Sequence, residues 1–261
     1  MEVSSGGLKI SYEDKGAGES ALLFLPGWCT SRRVFDPLVA RCAAQRRVLA
    51  LDWRGHGQTE ASATDFTSED LVADALAVLA QSGVRQVVPV TLSHAGFIGL
   101  ELRRRLGERV SGLILLDWII ADPPPPFLDA LGALQDPGRW QATRDQLFSM
   151  WLAGVSQKEV IRYVHEDMGA FGADMWARAG REIHAAYRRI GTPLQGLAAL
   201  APPVRTLHLY AQPEDPGYLA AQQGFAAQHP WFSVRRLPAR THFPMFEVPD
   251  EMAAVIEAFA R

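Results

Sequence analysis

The sequence predicts an α/β protein: a mostly parallel sheet with helices on both faces and an inserted helical cap. Three observations lead there. Short apolar β-type runs alternate with amphipathic helical stretches from residue 8 to residue 116. The run Asp122-Pro123-Pro124-Pro125-Pro126 breaks this rhythm and opens a long helical block rich in aromatics. Strand patterning then returns near Val204, so the block interrupts one sheet between two of its strands.

Residues 8–13 and 21–25 read as strands, separated by the turn Gly16-Ala17-Gly18. Leu25-Pro26-Gly27-Trp28 ends the second strand in a loop, and 35–41 reads as a helix. A buried strand follows at 47–51, then the polar loop Asp52-Trp53-Arg54-Gly55-His56-Gly57-Gln58. Thr67-Ser68-Glu69-Asp70 opens a helix to about Ser82, with Leu71, Ala75, Val78 and Leu79 on one face and Gly83 as its stop. A strand at 87–90, a turn at Ser93, a helix to about Leu106 and a strand at 112–116 complete the first part. Beyond the aromatic block lie strands at 204–210 and 232–237 and a last helix from Pro249-Asp250. The expected division is a core of 1–121 and 193–261 and a cap of 122–192.

Bulk properties narrow the function. A chain of 261 residues, 48% hydrophobic and 21% charged, suits one globular α/β domain with a sizeable core. A net charge of −3 offers no basic footprint for nucleic acid. No apolar run approaches the roughly 20 residues that cross a bilayer, and the N-terminus has no charged and apolar leader pattern. Two cysteines, Cys29 and Cys42, form neither a disulfide framework nor a metal-ligand spacing. The expectation is a cytoplasmic protein without nucleic-acid or membrane partners. No glycine-rich phosphate loop or metal-ligand cluster invites a nucleotide, flavin or metal.

The chemistry centres on Val90-Thr91-Leu92-Ser93-His94-Ala95-Gly96. A serine at a sharp strand-to-helix turn is the nucleophile elbow of the α/β-hydrolase fold, here with Thr91 and Ala95 replacing the outer glycines of G-x-S-x-G. An ordinary strand–helix turn with serine as N-cap has the same appearance. A working elbow needs a histidine backed by an acid. Of seven histidines, His242 lies between the last strand and the last helix, where the fold delivers its histidine. His165, His184, His208 and His229 read as cap, helix or surface residues. The acid is Asp117, after the strand that follows the elbow helix, or Glu214 or Asp215, after the next strand; chain order permits each. The Gly27-Trp28 loop can set a backbone N–H opposite that of His94, giving an oxyanion hole. One or two of Trp28, Trp118, Trp151 and Trp176 are expected to line a flat apolar pocket.

Phe24-Leu25-Pro26-Gly27-Trp28-Cys29, Ser93-His94-Ala95-Gly96, Leu116-Asp117-Trp118, Gln228-His229-Pro230-Trp231-Phe232-Ser233 and Thr241-His242-Phe243-Pro244 resemble the cofactor-independent 3-hydroxy-4(1H)-quinolone 2,4-dioxygenases. The likeness extends through the cap at Trp151-Leu152-Ala153-Gly154 and Trp176-Ala177-Arg178-Ala179-Gly180. It implies that His242 is a general base and that Asp117 supports it. It also implies that Ser93 orients the substrate by hydrogen bonding and that Trp28 borders the substrate. O2 is then a co-substrate, and neither metal nor organic cofactor is needed. Leu92 and Thr30 stand where the family has histidines, which implies a more apolar pocket, a different alkyl substituent or a different reaction. The expected reaction is ring cleavage of a 3-hydroxy-4(1H)-quinolone to an N-acylanthranilate and carbon monoxide. The alternative is a serine esterase or amidase using Ser93, His242 and an acid. A third reading is a ligand-binding protein without catalysis on the same fold.

Overall fold

A computed structural model describes all residues 1–261. Eight strands form one sheet in the order β1-β2-β4-β3-β5-β6-β7-β8. These are β1 (Glu2–Ser5), β2 (Leu8–Lys15), β3 (Ser20–Leu25), β4 (Arg47–Leu51), β5 (Gln86–Leu92), β6 (Leu113–Leu116), β7 (Thr206–Tyr210) and β8 (Phe232–Arg236). β1 and β2 pair antiparallel and β2 joins β4 antiparallel; every other pairing is parallel. The central strands are buried along nearly their whole length, because helices cover both faces and leave no solvated side. This accounts for continuous apolar runs such as Leu113-Ile114-Leu115-Leu116 in place of strict alternation.

The core helices are α1 (Asp36–Cys42), α2 (Ser68–Ser82), α3 (Gly96–Leu106), α8 (Pro193–Ala198), α9 (Pro216–Gln228), α10 (Pro244–Glu247) and α11 (Pro249–Phe259). Between β6 and β7 the chain adds α4 (Pro125–Ala133), α5 (Trp140–Trp151), α6 (Lys158–Arg162) and α7 (Ala173–Ile190), with a π-helical turn at Tyr163–Met168. α1 packs on α11, α3 packs on α2 and α8, and α4, α5 and α7 pack on one another. α2 starts where Thr67-Ser68-Glu69-Asp70 suggests: Thr67 and Asp70 form a reciprocal capping box, and Gly83 closes the helix in the left-handed conformation.

Several elements differ from the sequence reading, the short helices α8 and α10 among them. Glu2–Ser5 is an edge strand with one apolar residue, Val3, too short for a periodic signal. Pro216–Gln228 is a helix whose alanines and glutamines present no apolar stripe, and Gln222 is its one fully buried residue. His208 also differs: it is neither a cap, helix nor surface residue but a fully buried member of β7. The burial is tolerated because both ring nitrogens have partners, Gln222 and the backbone of Trp118.

Candidate active site

Parallel strands place their C-terminal ends on one edge of the sheet, where open α/β folds bind ligands. β5 ends at Leu92 and Ser93 follows with φ of 54°, a left-handed conformation that is costly for a residue with a side chain. Close packing beneath the elbow explains its local sequence. A Cβ on Gly96 would lie 2.2 Å from the indole of Trp118, and one on Gly99 would lie 3.0 Å from the Thr91 methyl. Thr91 therefore fits where a glycine is usual, because the space it needs is left by Gly99. Its buried hydroxyl donates to the Ile114 carbonyl at 3.3 Å.

Asp117 leaves β6 in a similar conformation, with φ of 45°. Its Oδ1 accepts from Nδ1 of His242 at 2.9 Å. Its Oδ2 accepts from the backbone N–H groups of Ala211 and Gln212, at 2.6 and 3.3 Å. The carboxylate can only accept, so Nδ1 carries the proton and Nε2 of His242 offers its lone pair. The other two carboxylates are occupied elsewhere. Glu214 pairs with Arg236 at 3.1 Å. Asp215 caps α9 by accepting from the Gly217 N–H at 2.7 Å.

Ser93 Oγ hydrogen-bonds to Nδ1 of its neighbour His94, at 3.0 Å. His94 stacks on Phe127 with ring centroids 5.4 Å apart and meets Trp118 and Tyr187 edge-on. Burial, with a smaller contribution from His242, lowers its pKa to about 3, so its ring is neutral. Across from it, Gly27 backs onto the elbow: a Cβ there would sit 3.7 Å from Cβ of Ser93. Thr30 Oγ1 donates to the Gly27 carbonyl at 2.8 Å. The Cys29 N–H donates to Nε2 of His56 at 3.1 Å, and His56 in turn holds the Arg54 carbonyl through Nδ1 at 3.0 Å. Burial lowers the His56 pKa to about 4, as this donor–acceptor arrangement of a neutral ring requires.

The candidate catalytic residues share a cavity of about 850 Å³. Trp28, Thr30, Leu92, Ser93, His94 and Asp117 line its inner end together with His242. Trp151 and Trp176 line it from the cap, and Trp151 stacks on the His242 ring with centroids 5.0 Å apart. Every site residue expected from the sequence thus borders one space. Phe127, Ile183, Met168 and Tyr218 line it too and were not expected. Phe127 follows the proline run closely enough to have been suspected; Tyr218 lies on the helix that has no periodic signal. No group of three or more His, Cys, Asp or Glu side chains is arranged to hold a metal.

The sheet, the elbow and the loop-borne histidine define an α/β-hydrolase-fold protein, and the profile described as the alpha/beta hydrolase family matches residues 22–255. Within that fold the chain belongs to the 3-hydroxy-4-quinolone 2,4-dioxygenases. It is 39% identical to the 2-heptyl-3-hydroxy-4(1H)-quinolone dioxygenase of Mycobacteroides abscessus, over 95% of this chain and 93% of the relative. It is 34% identical to the 1H-3-hydroxy-4-oxoquinoline 2,4-dioxygenase of Pseudomonas putida, over 99% and 98%. Among solved structures, AqdC in complex with the product of its ring cleavage of the Pseudomonas quinolone signal superposes with a TM-score of 0.94. That pair is 38% identical and fully covered on both sides.

Proposed function

We propose that this protein cleaves the heterocyclic ring of a 2-alkyl-3-hydroxy-4(1H)-quinolone with O2, using neither metal nor organic cofactor. The observation that carries the reading is the division of labour between two hydrogen bonds. His242 is held by Asp117, whereas the Ser93 hydroxyl is engaged by His94. A histidine oriented in this way is a base for the substrate's own hydroxyl proton.

Nε2 of His242 removes the proton of the 3-hydroxyl group, and Asp117 stabilises the imidazolium that forms. The resulting electron-rich anion passes an electron to triplet O2, and recombination gives a peroxide at C2. Attack of the peroxide on the C4 carbonyl closes a bridge between the two carbons. Its collapse releases C3 as carbon monoxide and leaves an N-acylanthranilate, so substrate and O2 account for every atom of the two products. Ser93 orients the substrate, and the N–H groups of Trp28 and His94 stabilise its anionic oxygen. Segment 122–192 serves as the cap that keeps the reacting anion dry, with Trp151 and Trp176 as walls. The cavity extends beyond what a bicyclic head group fills, and residues such as Leu147, Ile183 and Met168 suit an alkyl tail. Two free, buried cysteines accord with a cytoplasmic location.

The left-handed turn at Ser93 also suits an esterase, which gives the second reading its support. The deciding experiment incubates the protein with 2-heptyl-3-hydroxy-4(1H)-quinolone in air and under anaerobic conditions. Loss of the quinolone absorbance and release of carbon monoxide are expected in air alone. Turnover that ignores oxygen, or no turnover in air, overturns the reading.

A further inference from the structure

The backbone just beyond Asp117 is clamped from both sides by side chains of β7 and α9. The Trp118 N–H donates to Nε2 of His208, at the long distance of 3.4 Å, and the Trp118 carbonyl accepts from the Tyr218 hydroxyl at 2.7 Å. The same hydroxyl accepts from the Ile120 N–H at 3.0 Å. His208 and Gln222 are both fully buried, and Nδ1 of His208 lies 2.6 Å from Oε1 of Gln222. Nε2 of Gln222 donates to the Tyr218 carbonyl at 3.2 Å, which fixes the amide orientation and directs Oε1 at the imidazole. An amide oxygen only accepts, so Nδ1 of His208 carries the proton and Nε2 is free to accept from Trp118. The ring is further held flat against Tyr210, with centroids 5.1 Å apart and planes 9° from parallel.

This arrangement is more than a satisfied core histidine would need. Asp117 has positive φ, and a residue with a Cβ keeps that conformation only where its surroundings enforce it. Its own N–H donates to the Leu209 carbonyl, next to His208 in β7. His208 holds the N–H of the peptide that follows Asp117, and Tyr218 holds the carbonyl of the next peptide. We infer that His208, oriented by Gln222, is a positioning residue that locks the Asp117–Trp118 turn and so aims the Asp117 carboxylate at His242. The inference rests on the reading of His242 as the base.

The test compares His208→Leu, which removes the acceptor at similar volume, with His208→Gln, which can return an oxygen to the Trp118 N–H. Gln222→Leu leaves the imidazole in place and frees its orientation. Steady-state turnover of 2-heptyl-3-hydroxy-4(1H)-quinolone is measured beside thermal unfolding, with His242→Ala and Asp117→Ala as references. His208→Leu and Gln222→Leu should lower kcat about 10-fold while KM changes less than 3-fold, and His208→Gln should recover most of that loss. In the Asp117→Ala background, His208→Leu should cost nothing more, because a residue acting through another is silent once that other is gone. Wild-type kcat in both leucine variants overturns the inference. So does an undiminished loss in His208→Gln, or a full additional loss in the Asp117→Ala background. If His208→Leu does not fold, Gln222→Leu and His208→Gln decide by the same criteria. A fully active His242→Ala would instead remove the base reading itself, whatever the His208 variants do.

Discussion

The indole of Trp151 lies against the imidazole of His242, with planes 16° from parallel and centroids 5.0 Å apart. His242 therefore has a carboxylate at one edge and an aromatic face above its ring. When the ring takes a proton, that face meets a cation, an interaction of about 0.5–2 kcal/mol depending on desolvation. At about 1.4 kcal/mol per decade, Trp151→Leu should lower kcat by roughly 2- to 30-fold. Stopped-flow turnover at saturating quinolone checks this; a kcat at the wild-type level would show that the stacked face does not stabilise the charged ring.

Replacing His242 with alanine removes the proposed base and leaves the rest of the cavity wall in place. General-base catalysis contributes on the order of 100- to 10,000-fold, so kcat should fall at least 100-fold. Titration with the N-acylanthranilate product should still report binding. Near-normal turnover at neutral pH would refute the assignment.

Ser93→Ala separates the two chemistries. A serine that only orients the substrate contributes one hydrogen bond of about 0.5–1.5 kcal/mol, or more to a charged partner. Activity should fall roughly 2- to 100-fold and persist, the upper end reflecting an anionic partner. A fluorophosphonate probe should leave wild-type Ser93 unlabelled. An acyl adduct on Ser93 by mass spectrometry, together with complete loss of oxygen uptake in the mutant, would favour the esterase.

Acid should destabilise the fold before its carboxylates are protonated. Burial lowers the pKa of His56 and His208 to about 4 and of His94 to about 3, whereas an unfolded histidine titrates near about 6.5. Between these values the unfolded chain binds protons that the folded chain refuses. Stability is thus fully present above about pH 6.5 and declines as the pH falls towards 4. At pH 5 each imidazole should contribute about 2 kcal/mol of destabilisation, an order-of-magnitude figure. Melting curves between pH 7 and 4.5 test it, and a constant Tm over that range would contradict the neutral, buried assignment.

Gly96→Ala should be poorly tolerated although alanine is the better helix former. The new methyl would meet the Trp118 ring at 2.2 Å, and the ring is buried with nowhere to withdraw. Overpacking of this kind costs about 1–3 kcal/mol. Tm should fall, and kcat should fall with it, because Trp118 directly follows Asp117. A Tm at or above wild type would mean that the elbow helix can move away from the ring.

The alternation of elements was legible because the parallel strands are apolar throughout and the helices carry one apolar face. The elbow was legible without its usual glycines, since strand, serine and helix follow one another without a gap. The acid was legible through the family resemblance alone, because in chain order Asp117, Glu214 and Asp215 all follow strands. What separates them is a left-handed backbone and the N–H groups of Ala211 and Gln212, nearly a hundred residues away. His208 was misplaced for a related reason. A histidine within an apolar strand looks anomalous until Gln222 approaches from a helix that has no periodicity of its own. Phe127 and Tyr218 reach the cavity through the placement of α4 and α9, which no local pattern encodes.

The bond from Cys29 to His56 has a bearing on how such a protein can diverge. It ties the loop behind Ser93 to the loop after β4, and both ends of the tie are main chain. Side-chain substitution at Cys29 or Arg54 leaves this tie intact, whereas loss of His56 removes it and leaves the loops joined through the Trp53 indole on the Pro26 carbonyl and the Arg32 N–H on Asp52. The main chain at the inner end of the cavity is thus held independently of the side chains that line it, and Thr30 and Leu92 there already stand in place of the family's histidines. The outer wall is built differently, from separate helices of the inserted segment that include exposed residues such as Met150. Laboratory evolution towards quinolones with longer or bulkier 2-substituents should accumulate its changes along α4, α5 and α7 and leave His56 untouched.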